Sequence, residues 1–68
     1  MRYQLCTLKE ENSETTKTAY IKSIDAKVGN KITIDNEIWE IKDVSLLSVP
    51  EQTLKSYQTA SKTNYKKI

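Results

Sequence analysis

Residues 31–44 of this 68-residue chain, KITIDNEIWEIKDV, alternate apolar and polar side chains on both sides of a short polar interruption. Such alternation is typical of a half-buried β-strand, because successive side chains of a strand point to opposite faces of the sheet. Residues 35–37, DNE, have the composition of a tight turn. The stretch therefore predicts a strand over residues 31–35 that returns antiparallel over residues 38–44.

The return strand decides which large side chains reach the core. Trp39 and Ile41 share one face, and Ile38 and Val44 fall on the other unless a β-bulge shifts the register. We interpret Trp39 as a core residue, because a small domain needs large buried side chains, with a partly exposed interface anchor as the alternative. In a one-sided sheet Ile38 would form an exposed patch with Val44 and Tyr20, whereas in a closed barrel it would lie beneath a helix.

Two further strands are predicted before this hairpin. They cover residues 2–8 and 18–24, where β-branched and aromatic residues recur. Residues 9–17 lack apolar side chains and are predicted to form an exposed loop. The turn at residues 25–30 contains the only glycine, Gly29, which suits a positive backbone φ.

After the hairpin the pattern changes from strand to helix. A short fifth strand is predicted around Leu46-Leu47. Ser48-Val49-Pro50-Glu51 has the form of a capping box, which predicts that a helix begins at Ser48. A sparse apolar stripe at steps of three or four residues continues this pattern; its members are Leu54, Tyr57, Ser61, Tyr65 and Ile68.

These elements predict a single domain over residues 1–68. Its β-sheet body covers residues 1–47, its helix covers residues 48–62, and residues 63–68 form a basic tail that is expected to fray. Short antiparallel strands at this spacing are typical of small curved sheets and barrels. We therefore predict a mainly β (α+β) fold: an SH3-like antiparallel sheet or barrel of four to five strands with a C-terminal helix.

The residue types in the chain exclude most kinds of catalytic and metal-binding site. The chain has no histidine and one cysteine, Cys6, so a disulfide within the chain and a zinc site of about four Cys and His ligands are excluded. A general base for neutral pH, a glycine-rich phosphate loop and a nucleophile elbow are all missing from the sequence. We predict that the protein is not an enzyme and has no catalytic, metal or cofactor site. Cys6 is interpreted as a small buried hydrophobe and not as a reactive thiol.

The predicted cellular location and the distribution of charge along the chain limit the kinds of partner that the protein can bind. A lone thiol, the lack of a leader-like segment and the lack of an apolar run of about 20 residues predict a cytoplasmic protein that does not enter a membrane. Residues 1–51 carry seven basic and nine acidic side chains, whereas residues 52–68 carry four lysines and no acid. The chain is thus a mildly acidic body with a basic end.

Several short motifs follow one another along the chain: Cys6-x-Leu8, Ala19-x-Ile21, Ala26-x-Val28-Gly29 and Trp39-x-Ile41-x-x-Val44, ahead of a basic tail closed by Ile68. In this order they resemble a group of small tailed-phage and prophage accessory proteins with no assigned activity. The tail departs from the group, since Lys67-Ile68 stands where an acidic-apolar pair is expected. The resemblance implies a phage or mobile-element protein that binds host proteins, and it transfers no functional residue.

The leading functional hypothesis is a non-enzymatic module that binds a host protein and inhibits it. One alternative is a small nucleic-acid-binding barrel that uses the lysine-rich end. Another is a self-associating virion or assembly component, a homo-oligomer. The residues predicted to contact the partner are Ile38, Lys42, Lys55, Lys62, Tyr65, Lys66, Lys67 and Ile68.

Overall fold

The computed structural model describes residues 1–56 and 65–68. Over these residues the chain forms one antiparallel sheet of five strands in the order β2-β1-β4-β3-β5, with one short helix. The mainly β fold is therefore confirmed, and among the described residues the sheet is open, with β2 and β5 at its edges. The elements are β1 (Arg2–Glu10), β2 (Thr16–Lys22), β3 (Lys31–Ile34), β4 (Glu37–Pro50), α1 (Glu51–Ser56) and β5 (Lys66–Lys67).

The hairpin predicted from residues 31–44 is present as β3 and β4. Ile34 pairs with Glu37, and Asp35 and Asn36 form the two-residue turn between them. Both turn residues have positive φ, 51° and 69°, as a type I′ turn requires. Asp and Asn tolerate this conformation better than most side chains, which explains how the sequence closes so tight a turn without glycine.

One face of the sheet carries the core. Trp39 is 3% exposed and belongs to the central cluster, so its interpretation as a core residue is confirmed. Tyr65, from the C-terminal end, packs against this cluster together with Val44. The buried members of the cluster are Cys6, Leu8, Ala19, Ile21, Ala26, Ile32, Ile34, Trp39 and Ile41.

A β-bulge in β4 explains how Val44 reaches the core. Leu8 pairs with Ile41 and Thr7 pairs with Asp43, so β4 contains one residue more than β1 in this interval. The extra residue reverses the alternation, and Val44 lies on the same face as Ile41. Val44 therefore does not join Ile38 in the exposed patch that an unbroken strand would produce.

The helix begins later than the capping box predicts. Ser48, Val49 and Pro50 continue β4 by pairing with the start of β1, and α1 begins at Glu51. Arg2 donates hydrogen bonds from its guanidinium to the Ser48 side chain and to its carbonyl oxygen, both at 2.8 Å. The predicted helix start at Ser48 is therefore wrong, because tertiary pairing with β1 takes over the residues of the capping motif.

Strand boundaries also differ from the sequence pattern. β1 extends to Glu10 and β2 begins at Thr16, so the loop predicted over residues 9–17 is shorter. β4 includes Leu46-Leu47, which the sequence assigns to a separate short strand, and the fifth strand is Lys66–Lys67, within the segment expected to fray. Backbone pairing across the sheet holds these segments even where their side chains are polar.

Gly29 adopts a φ of +96°, and a Cβ placed there would meet no atom within 4 Å. Its N–H donates to the Ile41 carbonyl at 2.9 Å, which fixes the turn against β4. Substitution by alanine should therefore cost about 1–2 kcal/mol through backbone strain alone, and substitution by asparagine should cost less. Urea denaturation of the two variants tests this, and equal losses of stability would contradict it.

No helix in the described part of the chain is long and apolar enough to cross a membrane.

Candidate functional site

The structure brings together two of the residues predicted to contact a partner. Thr33 pairs with Ile38 on one side and with Lys66 on the other. Directly paired residues point to the same face, so these three side chains form a row on the face opposite the buried Ile32. Ile38 is 38% exposed and Lys66 is exposed, so this outer row combines one aliphatic side chain with one cation.

Among the described residues, the other lysines predicted to contact a partner lie in different elements. Lys42 forms an ion pair with Glu40 at 3.3 Å, and Lys67 lies 3.8 Å from the Asp25 carboxylate. Lys55 lies in α1, whereas Lys62 lies outside the described residues. Lys42 and Lys67 therefore lie beside separate carboxylates, on β4 and β5 respectively.

Ile68 and Tyr65 flank β5 and have different surroundings. Ile68 is exposed, and its backbone N–H donates to the Lys31 carbonyl at 3.2 Å. The Tyr65 hydroxyl donates to the Asp25 carboxylate at 2.6 Å and accepts a hydrogen bond from the Lys22 backbone N–H at 3.3 Å. Burial, together with the hydrogen bond to Asp25, raises the pKa of Tyr65 well above its ordinary value. Tyr65 thus connects the two edges of the open sheet, β5 and β2.

Lysines on the sheet surface form ion pairs with neighbouring glutamates. Lys31 forms an ion pair with Glu11 at 3.0 Å, and the contact raises the pKa of Lys31. Lys42 pairs with Glu40, as described above. Such pairing reduces the positive potential that phosphate binding requires.

An open depression of about 310 Å³ lies beside the β3–β4 turn. A hydrogen bond between the Glu10 and Glu37 side chains lowers the pKa of Glu10 and raises that of Glu37. Glu37 is solvent-exposed and Glu10 is half-buried. The depression is lined by Glu10, Asn12, Asn36, Glu37 and Ile38.

The most exposed apolar side chains lie in a second, wider bulge of β4. Gln4 pairs with Ser48 and Cys6 pairs with Val44, so Leu5 alone faces three residues of β4. We call these three residues, Ser45, Leu46 and Leu47, the leucine bulge. Within it Leu46 is 99% exposed and Leu47 is 78% exposed, while the facing Leu5 is 37% exposed.

Hydrogen bonds fix the backbone of the leucine bulge. Gln4 donates from its side-chain amide to the Ser45 carbonyl at 2.8 Å. The Leu47 N–H donates to the Ser45 hydroxyl at 3.2 Å. Paired residues on both sides, Val44 and Ser48, tie the bulge to β1. The two leucines are thus presented to solvent by an anchored backbone.

Sequence reasoning missed the leucine bulge as a functional candidate. In a regular strand, adjacent residues point to opposite faces, so one of Leu46 and Leu47 would be buried. Only the bulge exposes both. The available signal was the pair of adjacent leucines flanked by Ser45 and Ser48, in a strand that otherwise alternates.

Cys6 is fully buried in the central cluster. Burial, and secondarily the negative charge of Asp43, raises the pKa of the Cys6 thiol to about 11. We therefore expect negligible reaction with a thiol reagent such as Ellman's reagent at pH 8 in the native state, and full reaction in denaturant. Rapid native-state labelling would show that the thiol is accessible.

Among the residues that the structure describes, no group of three or more Cys, Asp or Glu side chains could hold a metal ion.

No protein-family model, curated protein or solved structure gives a significant match to this chain.

Proposed function

We propose that this chain is a non-enzymatic interaction module that binds another protein. The observation that carries the proposal is the leucine bulge, where two adjacent leucines are exposed on a hydrogen-bonded backbone. Both leucines leave apolar surface in contact with water, and burying that surface in the small core would stabilise the fold. Contiguous exposed apolar side chains of this kind are typical of surfaces that bind proteins.

The more specific form of the proposal is a phage or mobile-element protein that binds a host protein in the cytoplasm and inhibits it. It is supported by the resemblance of the short motifs to phage accessory proteins. The outer row of Thr33, Ile38 and Lys66 offers a second contact area on the same domain. The SH3-like assignment also stays a prediction, supported by five short antiparallel strands and by the Tyr65 contact between the sheet edges.

An affinity pull-down from bacterial lysate tests the proposal, with and without nuclease and at low and moderate salt. A protein-binding module with an apolar contact surface should retain one stoichiometric protein after nuclease and salt treatment. Material lost after nuclease treatment would instead indicate the nucleic-acid-binding alternative, since phosphate contacts weaken steeply with salt. Recovery of nothing but the chain itself would contradict the proposal and favour self-association.

A further inference from the structure

We infer that the leucine bulge is a convex anchor that inserts Leu46 and Leu47 into a concave apolar pocket of a different protein. This inference rests on the proposed function and specifies its contact surface and the chemistry of the partner.

The shape of the bulge favours insertion. Leu46 and Leu47 extend from a strand whose paired neighbours, Val44 and Ser48, remain in register with β1. The exposed fractions of 99% and 78% leave nearly the whole of both side chains available for contact. Because the hydrogen bonds of Ser45 fix the backbone, little backbone freedom is lost on binding.

The area of the bulge argues against a second copy of this chain as the occupant. A buried leucine removes roughly 100 Å² of apolar surface from water. Two convex bulges that meet across a two-fold axis would bury little more than these side chains and Leu5. A stable interface buries about 800 Å² on each partner, several times more than that. A concave partner can surround both leucines and also contact the rim.

Two depressions on the described surface are poor receptors for the leucines of a second copy. One depression, of about 370 Å³, contains the polar or charged side chains Asp35, Asn36 and Lys66, together with Thr33 and Tyr65. The depression beside the β3–β4 turn contains two glutamates. An apolar side chain gains little in such surroundings, because the polar groups lose water without gaining hydrogen bonds. The geometry thus favours a different protein with apolar pocket walls.

The test compares three forms of the full chain in the nuclease-treated lysate pull-down: the unsubstituted chain, L46T/L47T, and the control I24T. Ile24 is 74% exposed and lies in the turn after β2, so I24T also removes an exposed aliphatic side chain, but one outside the leucine bulge and outside the residues predicted to contact the partner. Circular dichroism and urea midpoints should be unchanged in both variants, because the substituted side chains are exposed.

We expect L46T/L47T to weaken capture of the protein retained by the unsubstituted chain by about 100-fold or more, since each buried leucine contributes at least about tenfold. I24T should retain capture. Undiminished capture by L46T/L47T would overturn this inference and leave the proposed function in place. Capture of no protein by the unsubstituted chain would overturn the proposed function itself. A concentration-dependent dimer in sedimentation, abolished in L46T/L47T, would identify a second copy as the occupant and overturn the inference.

Discussion

Replacing Trp39 with alanine is expected to destabilise the fold by about 3–5 kcal/mol, the usual cost of removing a large buried aromatic side chain. Trp39 is buried in the central cluster between Ile32 on β3 and Glu10 on β1, with which it pairs. A domain of this length has a total stability of about 3–10 kcal/mol. The variant should therefore be largely unfolded or close to it, as urea denaturation followed by circular dichroism would show.

Trp39→Phe is the matched control. The indole N–H of Trp39 is buried and has no hydrogen-bond partner among the described residues. A buried donor without a partner destabilises the folded protein by about 1–3 kcal/mol. Phenylalanine has no such donor, so the substitution regains this free energy and offsets part of the lost apolar contact. We expect Trp39→Phe to remain within about 1 kcal/mol of the parent. A Trp39→Ala variant as stable as Trp39→Phe would show that the side chain is not part of the core.

Replacing Tyr65 with phenylalanine is expected to cost about 1–3 kcal/mol, because it removes the hydroxyl that joins Asp25 to the edge of β2. The aromatic ring and its contact with the core are retained. Tyr3→Phe serves as the control, since its hydroxyl donates a longer hydrogen bond, 3.2 Å, to Glu51 among the described residues. Urea midpoints should rank the Tyr65 variant below the Tyr3 variant, and the reverse order would contradict the edge-joining role.

The same hydroxyl predicts a pH dependence. The pKa of Tyr65 is raised in the folded protein, whereas an unfolded tyrosine has a pKa near 10. The contribution of this group to stability is therefore fully present below about pH 10 and is lost as the pH rises toward the folded pKa. Between pH 8 and pH 11 the parent should lose more stability than Tyr65→Phe, which lacks the Tyr65 hydroxyl. Parallel losses in the two proteins would contradict the prediction.

The β3–β4 hairpin could be predicted from sequence because its determinants are local. Alternation places Ile32, Ile34, Trp39 and Ile41 on one face, and the Asp35-Asn36 turn tolerates positive φ. Both features act within a few residues. The same holds for Gly29, whose positive φ follows from its missing side chain.

The capping motif failed as a predictor for the opposite reason. Ser48 and Glu51 have the spacing of a capping box, but Ser48 binds Arg2, which lies 46 residues earlier. Pairing with β1 outweighs a local preference of about 1 kcal/mol. The strand at Lys66–Lys67 was missed in the same way, because a two-residue polar strand is specified by its partner β3 and not by its own side chains.

The candidate site was predictable only in part. Sequence identified Ile38 and Lys66, and the pairing of both with Thr33 brings them together. The sequence could not identify the leucine bulge. The bulge forms where β4 has more residues than the facing interval of β1, and this mismatch is a property of the two paired strands and not of either strand alone.

The sequence by itself determined the mainly β fold, the hairpin turn, the positive φ of Gly29 and the burial of Cys6 and Trp39, because each follows from local conformational preference or from hydrophobic burial. The tertiary structure alone decided where β4 ends, that Val44 is turned inward, and that Leu46 and Leu47 are both exposed. These features depend on the register between β1 and β4, which are distant in the sequence, and register is fixed only when the whole sheet forms.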